Sequence, residues 1–275
     1  MKSQLFAILG LAALVTAGTV GCAANDEPAG DNEGAAEEDL TNSQLPGVVA
    51  VEIAQVRGQD TVLSAKTLGA PKKVKSILTG VKKLRPSDPV PRCMERDTER
   101  LTFLDAAGKK IATVGTYCGG FGSISFENGK PGYGVKFNTA GVDDAKNAPF
   151  AVGDALWGIT KIELTKPGSA AEKRTLTGGK MPAVLAGLNL DEVPDASASF
   201  PRCLPSHAVT FVRGEANVAF TSFICGSTSA ATAPASVKAS FTAVDPAAGP
   251  DSPSLASGAI QLDPRPVIAA FATNR

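Results

Sequence analysis

The feature that most constrains this chain is a phrase written twice: Val90–Cys93 reads VPRC and, in the second half of the chain, Phe200–Cys203 reads FPRC. Each is followed by a second cysteine and a glycine, in YCGG from Tyr117 and in ICGS from Ile224. The interval from Cys93 to Cys118 is close in length to that from Cys203 to Cys225, and the two share a pattern. Arg100–Ala106 and Lys109–Cys118 are β-rich runs around the turn Ala106–Gly108, and His207–Arg213 and Asn217–Cys225 flank Gly214–Ala216 in the same way. Two such runs around a short turn containing Gly read as a hairpin. Folding each hairpin about its turn brings its two cysteines together at the open end. Of the three pairings that four cysteines allow, the repeat therefore selects Cys93–Cys118 and Cys203–Cys225. In the chain-entropy model a bridge closing a loop of this size adds about 3 to 3.5 kcal/mol.

The agreement continues upstream. Ala70–Arg85 (APKKVKSILTGVKKLR) places Val74, Ile77, Leu78 and Val81 at the i, i+3, i+4, i+7 spacing of one helical face, and Gly179–Leu190 does the same with Met181, Val184, Leu185 and Leu188 at one constant offset. Pro71 and Pro182 stand near the helix starts, where a missing backbone donor costs least. β-like runs precede both helices (Gly47–Val56, Gly158–Leu164) and follow both CG pairs (Tyr133–Ala140, Ala235–Val244); a last strand is expected at AIQL, after a Pro, Gly and Ser rich loop from Pro246. A helix with one apolar stripe covers the apolar face of its own sheet most readily. The expected class is α+β, a tandem duplication of a unit made of an antiparallel sheet, one packed amphipathic helix and one disulfide-closed hairpin. The copies run over 47–153 and 154–275, as two domains or as one continuous sheet.

The first residues set the compartment. Lys2 supplies a positive start and Leu5–Val15 an apolar stretch of secretory-signal length, shorter than the roughly 20 residues of a spanning helix. The stretch ends in TVGC at Thr19–Cys22, which resembles the lipobox of bacterial lipoproteins, with Thr19 where leucine is commoner. The resemblance covers only the chain up to Cys22 and implies a signal peptide over 1–21 and a lipidated Cys22 as mature N-terminus. It also implies a protein held by its acyl chains on a membrane of the cell envelope, outside the cytoplasm. Ala23 and Ala24 lack the acid associated with inner-membrane retention, which favours the outer membrane. Residues 22–46 carry seven acids and no base, and like-charge repulsion with low hydrophobicity makes them a disordered tether. The zero net charge of the whole chain hides this split, because without Lys2 and those acids 26 bases face 20 acids.

Catalytic signals are sparse. His207 is the sole histidine, so a Ser-His or Cys-His mechanism has one residue to use, and lipidation and bridging occupy all five thiols. The glycine-rich Cys118–Gly129 lacks the following helix of a phosphate cradle. The acids at Val142–Asp144 and Asp191–Asp195 lack the spaced ligands of a calcium loop. No catalytic residue, metal or cofactor is expected. Lys72, Lys73, Lys75, Lys82, Lys83 and Arg85 make the first helix region basic and suit contact with an anionic surface. Nucleic acid fits poorly, as no aromatic residues interleave these bases. Trp157, the single tryptophan, stands in the connector as a packing residue or a ligand platform. These readings lead to a non-enzymatic envelope lipoprotein that binds a protein or surface polymer. The alternative is a small-ligand or solute-binding module with its site between the repeats.

Overall fold

The protein is described by a computed structural model over residues 45–58, 61–85, 88, 97–118, 120–166, 172–200, 205–223, 229–247 and 253–272. All of them fall within one compact unit, Glu37–Arg275. The first half runs β1 (Ala50–Arg57), β2 (Thr61–Leu68), α1 (Pro71–Gly80), β3 (Val81–Lys83), β4 (Asp97–Leu104), β5 (Lys110–Cys118), β6 (Phe121–Phe126), β7 (Tyr133–Phe137) and α2 (Thr139–Asn147). A short helix α3 (Val152–Leu156) leads into β8 (Lys161–Thr165), β9 (Lys173–Thr177), α4 (Met181–Leu185), β10 (His207–Arg213), β11 (Ala216–Phe223), β12 (Val237–Ala243), β13 (Ala256–Leu262) and α5 (Arg265–Ala272).

The strands form two antiparallel sheets, ordered β2-β1-β4-β5-β6-β7-β3 and β13-β12-β11-β10-β8-β9. Read from the β2 edge and the β9 edge, these are the same path through space. Each step has its partner: Val51 opposite Phe103 matches Ile162 opposite Phe211. Val81, which opens β3 opposite Phe137, matches the isolated bridge between Leu188 and Leu262. Even the turn into the last helix corresponds, Asn138 N–H donating to Gly80 O at 3.0 Å and Asp263 N–H to Gly187 O at 2.8 Å.

The α+β expectation is corrected by this architecture. Thirteen strands in two sheets stand against five α-helices among the described residues, so the fold is mainly β. Sequence reading missed the edge strands β2 and β9 and the helices α2, α3 and α5, and made the two helices it expected too long. The first helix ends at Gly80 because Val81–Lys83 take up sheet hydrogen bonds with β7. Its counterpart is a 3₁₀ turn at Gly178–Lys180 followed by five residues, since Gly178 and Gly179 before it and Gly187 after it leave little helix propensity on either side. Both expected hairpins are present, β4–β5 and β10–β11, each turning through a positive-φ glycine, Gly108 and Gly214. Of the bridges expected to close them, Cys93, Cys203 and Cys225 lie outside the described residues, as does Cys22, and Cys118 ends β5 in its backbone alone.

Each sheet buries one face. In the first half Phe103, Leu101, Val114 and Ile124 form a core with Ile77 and Leu78 of α1 and Val142 of α2. In the second, Phe211, Phe241, Ile162 and Ile260 pack with Leu156 of α3, Val184 of α4 and Val267 of α5. The geometry forces curvature. Six inter-strand steps of about 4.8 Å span about 29 Å across seven flat strands, whereas α1, ten residues and about 15 Å long, joins one edge strand to the other. The first sheet therefore curls around α1. No helix among the described residues is long and apolar enough to cross a membrane.

Candidate functional site

The join between the halves is tighter than a linker. All five residues of α3 are buried, and its backbone is tied to the second half by Val152 N–H donating to Glu192 O (2.9 Å) and Gly153 N–H to Leu190 O (2.7 Å). Its side-chain tie to the first half is Asp154, whose side chain is fully buried. Asp154 Oδ1 accepts from the amides of Gly69 (3.0 Å) and Ala70 (3.1 Å), and Oδ2 from Ala151 N–H (3.0 Å) and Lys73 Nζ (2.5 Å). The start of α1 has no capping side chain of its own. Asp154 supplies that carboxylate from the connector, and Asp191 adds another by accepting from Lys72 N–H at 2.8 Å. Negative charge belongs at a helix N-terminus, where amides lack intrahelical partners. The backbones also meet closely, since a Cβ on Gly69 would stand 2.4 Å from Gly153 O and one on Gly153 would stand 2.8 Å from Ala70 Cα.

Trp157 follows α3 and is half-buried beneath Arg213, whose guanidinium carbon lies 3.8 Å from the ring centroid. Arg213 also donates from Nε to Trp157 O (3.0 Å) and from Nη2 to Ala155 O (2.8 Å). Burial lowers its pKa to about 10, which leaves it a cation at neutral pH. Stacking and two carbonyl bonds lock the indole in place.

Between α1 and α4, with Trp157 and Leu156 in its wall, opens a cleft of about 900 Å³. Both halves contribute, and they contribute matched positions. Val74 and Leu78 of α1 face it together with their counterparts Met181 and Leu185 of α4; Val48 before β1 and Ile159 before β8 are likewise counterparts. The cleft therefore lies where equivalent surfaces of the two halves meet. Among the described residues its lining is mostly apolar, with Thr79 and a single charged side chain, the exposed Lys75.

The six bases expected to share one surface are divided by the structure. Lys72 and Lys75 stand exposed on α1, while Lys73 turns to Asp154 and to Pro149 O (2.7 Å). Lys82 and Lys83 belong to β3, where Lys83 lies over the Tyr133 ring at 5.4 Å, and Arg85 follows the strand, half-buried. His207 opens β10 and is buried, stacked on Phe223 with centroids 5.2 Å apart and its Nδ1 2.9 Å from Ser206 Oγ. Among the described residues no group of three or more His, Cys, Asp or Glu side chains is placed to hold a metal. Sequence reasoning singled out Trp157 but missed Asp154 and Arg213. The signal for Asp154 was an acid inside an otherwise apolar connector, VGDALWG. Comparison of the chain with protein-family models, with curated proteins and with solved structures finds no match.

Proposed function

We propose that this chain is a lipid-anchored envelope protein without catalytic activity that binds a small apolar ligand in the cleft between its halves. The observation that carries the reading is the cleft itself. Its volume, about 900 Å³, lies in the range of small-molecule sites, about 300 to 1,000 Å³, and apolar walls with a few polar groups are what such sites use. Trp157, immobilised by Arg213, is a rigid wall, and a rigid site loses little entropy on binding. The lipobox-like TVGC supports the anchor, with Cys22 as the lipidated residue. Two or more acyl chains hold a protein stably on a bilayer.

The test uses N-phenyl-1-naphthylamine, a neutral apolar fluorophore, with the unit Glu37–Arg275, which is compact in its own right. One probe per chain, with energy transfer from Trp157, is expected, and filling the cleft by Leu185→Phe with Val74→Phe should abolish both. Probe emission unaffected by the filling variants would overturn the reading. Metabolic labelling with a palmitate analogue should tag the wild-type chain and spare Cys22→Ala.

A second reading, docking of another protein, is favoured by the edge strand β2, where Val62 and Leu63 are 46% and 43% exposed. An open edge with apolar side chains is a template for strand addition. Crosslinking in the native envelope that captures one stoichiometric partner through β2 would favour it.

A further inference from the structure

We infer that the ligand of the cleft is a single-chain anionic amphiphile, its hydrocarbon chain lying between α1 and α4 and its acidic head group paired with Lys75. The inference rests on the binding reading above and adds the ligand's class. Two features of the lining decide it. The paired apolar positions, Val74 with Met181 and Leu78 with Leu185, leave a polar body few hydrogen-bond partners, and burying unpaired polar groups is costly. Uncharged hydrocarbons would satisfy those walls equally well, but the lining also has a sign. Among the described residues Lys75 is its one ionic side chain and no carboxylate balances it within the lining.

The neighbouring charges keep that cation available. Lys73, toward the connector, is committed to Asp154, and Asp191 is engaged by the backbone amide of Lys72. Lys75 is exposed and contributes to the lining, the placement in which a lysine keeps its ammonium in water while its stem covers apolar surface. A carboxylate or phosphate at the head of one chain meets this arrangement; a cationic head is repelled by it. Fatty acids and monoacyl phospholipids share that chemistry.

Three ligands with the same dodecyl chain length separate the inference from the reading beneath it: dodecanoate, dodecanol and dodecylammonium, each far below micelle formation. Trp157, the sole tryptophan, reports binding to the unit Glu37–Arg275. The expected order is dodecanoate tightest, dodecanol about fivefold weaker and dodecylammonium weaker still, a partly solvated ion pair being worth about that factor. Lys75→Gln should bring dodecanoate and dodecanol together without changing the unfolding midpoint, and added salt should narrow the gap in the wild type. Dodecyl phosphate binding in place of dodecanoate would assign the head group as phosphate and keep the inference. Equal binding of all three, or a gap that survives Lys75→Gln, overturns the anionic class while leaving the cleft as an apolar site. No response to any chain, or a cleft closed by a second copy in sedimentation, overturns both.

Discussion

Glu99 on β4 and His207 on β10 occupy the same position in their halves, as do Lys146 on α2 and Phe271 on α5. In the first half the pair is ionic, Lys146 Nζ against Glu99 Oε1, with side chains 33% and 27% exposed. In the second it is aromatic, with His207 and Phe271 rings 5.6 Å apart and Phe223 stacked behind. One fold thus closes the same seam by charge in one half and by packed rings in the other. What the two halves keep in common is the order of strands and the alternation that buries Phe103 and Phe211. What they vary is the chemistry at the helix–sheet seam and the length of the covering helix, ten residues against five. Sheet hydrogen bonding and one buried face are enough to hold the path, and the seam need only be filled.

The comparison can be broken most directly at its shared centre. Phe103 and Phe211 are both fully buried, and Phe→Ala at either should cost about 3–5 kcal/mol in urea unfolding. Equal costs in a single transition are expected; two separated transitions would mean that the halves unfold independently. The join comes next. Asp154→Ala leaves the part-buried Lys73 with Pro149 O but no counter-charge and three amides without their acceptor, and about 3 kcal/mol is expected, the low end of the loss when one member of a buried ion pair is removed. Because the carboxylate belongs to both halves, the loss should appear in probes of each. Gly153→Ala should cost about 1–3 kcal/mol, since its Cβ meets backbone at 2.8 Å, and should also perturb Trp157 emission.

The smallest effect distinguishes the two seams by pH. Burial, with Lys166 as a lesser cause, lowers the His207 pKa from the ordinary 6.5, so the unfolded chain takes up the proton first and stability falls as pH drops below about 6.5. His207→Phe should flatten that acid limb. Lys146 behaves in the opposite sense. Its hydrogen bond to Glu99 raises its pKa above 10.5, so its contribution is complete below that value and is lost as the pH rises through the raised pKa. Lys146→Met should flatten the alkaline limb alone.

Much of this was legible along the chain. The hairpins were readable because a period of two and a positive-φ glycine are local properties. The matched apolar positions survived as well: Val81 and Leu188, expected on helix faces, both end as bridge residues against Phe137 and Leu262, each keeping its buried place while the backbone changed. The edge strands β2 and β9 were not legible. β2 is exposed along most of its length, so no alternation marks it, and it is a strand because β1 offers it a free edge. Along the chain Lys73 is one of six bases that suit a single surface. Nothing in a run of lysines says which of them a carboxylate in the distant connector will claim.

By itself the sequence determined the pairing of the two halves, the turns and the positions that must be buried, because each follows from side-chain pattern and backbone freedom within a few residues. The tertiary structure alone decided the mainly β class, the burial of Asp154 and the cleft between α1 and α4. Those depend on which surfaces meet, and a surface carries no mark of its partner until the chain has brought the two together.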